Sequence, residues 1–91
     1  MAKVIITVKI MPEDPSVNLK LIEEKCVEKV KSLGLEFGKK EIEPIAFGLN
    51  ALKLYLIQDE KQGGTAKLES ELSKIQGVNS VEVIDVRRAI G

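Results

Sequence analysis

Apolar residues in this chain change their spacing from two to three and four and back, and they do so twice, which limits the fold more than any other feature. In KVIITVKIM, Lys3 to Met11, alternation places Val4, Ile6, Val8 and Ile10 on one face, and β-branched residues dominate, as a pleated strand favours. PEDPS breaks the chain. Leu19, Ile22, Cys26, Val30 and Leu33 then recur at helical spacing, with Ser16 or Asn18 available as N-cap and Gly34 just past the end. LEFGKKEIEP follows as a charged extended segment, the composition of an edge strand. A bend from Pro44 to Gly48 leads into LNALKLYLIQ, where Leu52, Leu54 and Leu56 share one face of a central strand; Leu49, Leu52 and Leu56 also fit a helix. DEKQGG is a polar loop, and Gly64 or Thr65 opens a second helix carrying Leu68, Leu72 and Ile75, ended by Gly77. VNSVEVIDVRR is the last strand.

The order is therefore strand, helix, strand, strand, helix, strand. Each helix has a single apolar stripe, so both must lie on one face of an antiparallel sheet. That is the α+β, two-layer ferredoxin-like βαββαβ sandwich, built of two right-handed βαβ halves. With 91 residues, the expectation is one domain over residues 1–91. On the helix-free face Ile5, Thr7, Lys9, Lys53, Tyr55, Ile57, Ile84 and Val86 should meet. They read either as surface aliphatics shielded by lysine stems or as a partner surface.

Composition excludes several function classes. Lys plus Arg and Asp plus Glu number 14 each, and the aromatics are only Phe37, Phe47 and Tyr55, so a nucleic-acid role lacks both basic surplus and stacking platforms. There is no histidine, which removes histidine-dependent metal sites and acid–base pairs. The one cysteine, Cys26, lies in a helical apolar stripe and reads as a core residue of a reducing compartment. No apolar run is long enough to span a bilayer and no cleavable leader is evident, so an intracellular, cytoplasmic protein is expected.

Glu41, Glu43, Asp59 and Glu60 match no calcium-loop spacing and read as solvated charges. QGGT lacks the remainder of a P-loop and reads as a loop entering a helix. Within the fold class, a metal chaperone needs Cys-x-x-Cys, an RNA-recognition domain needs aromatic-rich central strands, and an acylphosphatase needs a glycine-rich anion loop with arginine. None is present. Binding survives and an active site does not, so no catalytic residue and no cofactor is expected. The open alternatives are a protein-interaction module and a small-molecule-binding regulatory domain, the latter with an apolar pocket at a sheet edge or dimer seam.

Three spaced motifs, EPIAFGLNAL, DEKQGGTAKLESEL followed by IQGV, and VEVIDVRR, resemble the archaeal translation elongation factor 1-beta family, and the likeness runs over essentially the whole chain. The resemblance implies the fold derived above and a role as guanine-nucleotide exchange factor for the GTPase elongation factor 1-alpha with its bound GDP or GTP and Mg²⁺. Eukaryotic relatives carry this domain at the end of a longer chain, and their added scaffolding functions are not expected here. In the eukaryotic domain the motif that resembles PIAFGL has an aromatic in the position of Phe47, at the contact with the GTPase. By resemblance, Pro44, Phe47 and Gly48 become partner-binding candidates, with the alternative that Phe47 folds back onto its own core. The eukaryotic domain places a lysine just before its last residue, implied to enter the Mg²⁺ site. Here Ile90 stands in that place, so the lysine's role does not carry over, and Arg87 and Arg88 upstream are the remaining candidates.

Overall fold

The computed structural model describes residues 3–59 and 65–89. Its elements are β1 (Lys3–Pro12), α1 (Leu19–Ser32), β2 (Glu36–Ala46), β3 (Leu49–Asp59), α2 (Ala66–Ser73) and β4 (Val78–Ala89). The four strands form one sheet in the order β2-β3-β1-β4, antiparallel throughout. This is the ferredoxin-like sandwich that the order of periodicities requires. LNALKLYLIQ is a strand, as its alternation and central place demand: Leu52, Leu54 and Leu56 are completely buried beside Ile6, Val8 and Ile10.

The helices cap this core through Ile22, Cys26, Val30, Leu68 and Leu72. Asn18 is the N-cap of α1, its side-chain oxygen accepting from the Lys20 N–H at 2.9 Å. The other end closes as a Schellman motif, with the Leu35 N–H on the Val30 carbonyl and the Gly34 N–H on that of Lys31, both at 3.1 Å. That motif returns Leu35 to the core beside Val30. Helix α2 is shorter than its apolar stripe predicts. It stops at Ser73, and Ile75 packs against the core from the following turn, whose bonds from Lys74 to Glu71 and from Ile75 to Leu72 tighten to three-residue spacing. The expected DEKQGG loop lies largely outside the described residues.

Cys26 is completely buried, and burial pushes its thiol up to about 12. Its thiolate is therefore absent at neutral pH. Ellman's reagent at pH 8 should leave the native protein unmodified and react stoichiometrically only after denaturant is added.

One register detail departs from expectation. Thr7 lies opposite Asp85 and Val8 opposite Val83, so Ile84 is an extra residue in β4. Beyond this bulge the alternation inverts. Val86 falls opposite Ile6 on the helix-bearing face, where it remains 54% exposed, and Asp85 and Arg87 take the helix-free face instead.

Candidate protein-binding site

The β2–β3 hairpin reverses through only two residues, Phe47 and Gly48, with φ of 53° and 80°. Positive φ at both central positions is the type I′ turn, whose twist suits the right-handed twist of the flanking strands. Gly48 is the usual occupant of the second position. A Cβ there would meet only the Pro15 Cβ, at 3.9 Å, so the demand for glycine is conformational and not spatial. Phe47 at the first position is the anomaly. Asparagine or aspartate is the normal occupant, and the left-handed region costs a bulky L-residue roughly 1–2 kcal/mol.

The ring is 97% exposed, so it does not fold back onto the core. Phe47 thus strains the backbone and places an apolar ring in water without stabilising the fold. Two further large apolar side chains of the same hairpin arm are exposed, Ile42 at 48% and Ile45 at 40%. Sequence reading did not single them out, although apolar residues among the charges of an edge strand were the available signal.

Pro44 is not part of the bend as the sequence suggested. It belongs to β2, opposite Asn50, next to a second irregularity that leaves Ile45 extra before Ala46 pairs with Leu49. A proline is tolerated there because β2 is the sheet edge and no partner strand asks for its missing N–H. The irregularity beside it lies directly before the turn that Phe47 opens.

Arg87 and Arg88 stand at the other end of the sheet. Arg87 lies opposite Ile5, which in turn lies opposite Ile57, whereas the Phe47 turn closes at Leu49 on the same strand. Eight residues of β3 separate the two rows, roughly 26 Å along the strand. The arginines also face opposite sides. Arg87 is on the helix-free face with its Nε 2.7 Å from Asp85 Oδ2, and Arg88 is paired opposite Val4, which packs against the core. The structure does not bring the two arginines together, nor either of them to Phe47.

The helix-free face carries an ordered set of polar contacts. Tyr55 Oη donates to Glu41, and Lys39 Nζ sits 4.7 Å from the centre of the Tyr55 ring. Glu43 lies between Lys9 at 3.9 Å and Lys53 at 3.8 Å. The phenol's hydrogen bond holds the Glu41 carboxyl below its ordinary value, and the same bond raises Tyr55. Tyr55→Phe should therefore raise the Glu41 pKa, read by NMR titration of its side-chain carboxyl. By sign, the lowered carboxylate contributes stability above its unfolded pKa that disappears as pH falls through the folded one, and the variant should flatten that acid limb. An open depression of about 550 Å³ on this face is lined by Ile5, Thr7, Lys53, Tyr55, Ile84, Asp85 and Arg87. Its lining is mainly polar, unlike the apolar pocket a small-molecule regulatory domain would offer. Among the described residues no three Asp, Glu, Cys or His side chains gather as a metal site, and no helix is long and apolar enough to cross a membrane.

Fold and surface together define a ferredoxin-like domain whose most unusual feature is an apolar hairpin tip held out in solvent. The particular family follows from sequence comparison: the profile of the EF-1 guanine nucleotide exchange domain matches residues 5–89, and the chain belongs to that family. It is similar to elongation factor 1-beta of Methanothermobacter thermautotrophicus, with 43% identity covering 97% of this chain and 98% of the relative. The elongation factor 1-beta of Staphylothermus marinus is 44% identical over 97% of this chain and 98% of its own. That of Methanocaldococcus jannaschii is 37% identical over 98% and 100%. Membership carries a nucleotide-exchange role in translation elongation. Among solved structures, a chain described as BlrP1 BLUF superposes with a TM-score of 0.61 at 15% identity, over all of this chain and 57% of that one, a likeness of fold alone.

Proposed function

We propose that this chain, acting as a single cytoplasmic domain, promotes GDP release from elongation factor 1-alpha. The observation that carries the reading is Phe47, 97% exposed in a strained turn position that its own fold does not need. An aromatic held out in this way is pre-organised to fill a pocket on a partner, so its apolar area is buried only on binding. Ile45 and Pro44 adjoin the same tip, exposed Ile42 extends its apolar surface along β2, and Gly48 permits the turn.

Exchange needs no bond to be broken. A factor that binds the nucleotide-free GTPase more tightly than the GDP-bound form weakens GDP and Mg²⁺ by the same factor, because binding free energies are linked. On this reading the protein has no enzymatic active site and no cofactor of its own, and nucleic acid is not its direct partner. Arg87 and Arg88 form a second contact toward the phosphate or acidic groups of the GTPase, remote from Phe47. Since they face opposite sides of β4, they should act separately: Arg87→Ala and Arg88→Ala are expected to slow exchange by unequal amounts and to reduce its salt dependence. Equal, wild-type rates for both at low salt would remove them from the interface.

The deciding experiment mixes the protein with archaeal elongation factor 1-alpha loaded with a fluorescent GDP analogue. Release should accelerate with increasing factor and saturate. An unchanged release rate over a wide concentration range would refute the proposal.

A further inference from the structure

The sheet has two edges, β2 and β4; each carries charged side chains and two irregularities in its pairing, but a proline interrupts only β2. β2 is blunted by Pro44, by irregularities after Phe37 and Pro44, and by Lys39, Lys40, Glu41 and Glu43. Such features keep an edge from pairing with another strand. β4 is the other edge, and among the described residues it pairs with β1 alone. Its segment after the bulge has no proline and reads Asp85-Val86-Arg87: acidic, apolar, basic.

That triplet is self-complementary in the antiparallel sense. A two-fold axis normal to the sheet and passing beside Val86 sets Asp85 opposite Arg87 of a second copy, and Arg87 opposite its Asp85. It also sets the half-exposed Val86 against its own copy on the helix-bearing face. Asp85 and Arg87 already share the helix-free face and touch at 2.7 Å within one chain, so the pairing completes an alternating quartet of two carboxylates and two guanidiniums. The neighbouring registers are disfavoured. An axis at Asp85 opposes two carboxylates, an axis at Arg87 opposes two guanidiniums, and an axis at Ile84 falls on the bulge.

We propose that two copies of this chain associate edge to edge through β4, centred on Val86, to form a continuous eight-stranded sheet. The bulge at Ile84 limits regular pairing on each side, so the interface is small and the dimer weak, with a dissociation constant of roughly 0.01 to 1 mM. Because Arg87 is used in this contact, self-association and any partner contact through Arg87 exclude each other.

Sedimentation velocity from about 10 µM to 2 mM tests the proposal, alongside amide hydrogen exchange in β4. Wild-type protein should shift from monomer to dimer over this range, with β4 amides gaining protection as concentration rises. Arg87→Asp and Asp85→Arg should each weaken association at least tenfold by opposing like charges. The double reversal Asp85→Arg/Arg87→Asp should restore it, because the pairs become opposite in sign again. Val86→Lys should abolish it in a chain that circular dichroism shows to be folded. A wild-type monomer at 2 mM, single reversals that associate as wild type, or a double reversal no better than the singles would each overturn the pairing.

Discussion

Replacing Phe47 by alanine is expected to leave the protein folded, with unfolding free energy changed by no more than about 0.5 kcal/mol, while exchange at limiting factor concentration falls roughly 30- to 1000-fold. The first half rests on exposure: a ring that is 97% accessible leaves no cavity when removed. The second follows from the proposed role, since truncating an aromatic anchor at an interface costs about 2–4 kcal/mol of binding. Phe47→Asn sharpens the test. Asparagine is the natural occupant of the first position of a type I′ turn, so this variant should be more stable than wild type by roughly 0.5–1 kcal/mol and still fail in exchange. Denaturant unfolding and GDP-release assays on these two variants read both quantities. An alanine variant that exchanges at the wild-type rate would remove Phe47 from the contact.

Leu54→Ala should act in the opposite sense. Leu54 is completely buried on the helix-bearing side of β3, an interior strand, and its loss opens a cavity that the surrounding β1 and α1 residues fill only in part. The expected loss is about 3 kcal/mol, or roughly 12–24 °C in Tm for a domain of this size. That is a large fraction of the about 5–15 kcal/mol that holds a small domain together. At temperatures where it remains folded, the variant should exchange normally, because Leu54 reaches no surface. Thermal unfolding followed by exchange at low temperature separates the two effects.

The contrast between these residues shows which parts of the molecule were legible beforehand. Leu54 could be placed because alternation over LNALKLYLIQ is a statement about one face of one strand, and burial of that face is demanded by the hydrophobic effect. The helix caps were equally local, and Asn18 and Gly34 occupy the positions that their side chain and its absence favour. Phe47 could be noticed but not placed. A Phe-Gly pair is no recognised turn signal, and nothing in the string EPIAFGLNAL distinguishes a ring turned inward from one turned out.

Pro44 shows the same limit from the other side. Read as punctuation, it widened the bend to five residues. In the fold it is an edge residue beside a bulge, because pairing with β3 continues past it to Ala46 and Leu49.

What the sequence determined by itself is the set of elements and their layering, since periodicity and capping act over a few neighbouring residues and two right-handed βαβ crossovers carry their single-striped helices to the same face of the sheet. Tertiary structure alone decided the register. The extra residue at Ile84 exists only as a mismatch between β4 and β1, and it moved Val86 off the helix-free face while bringing Asp85 and Arg87 onto it. It also decided that Phe47 and the arginine pair occupy opposite ends of the sheet, and that Phe47 adopts a strained turn with its ring in solvent. These are properties of how distant strands align, and a side chain's face and reach depend on its partner strand as much as on its own neighbours.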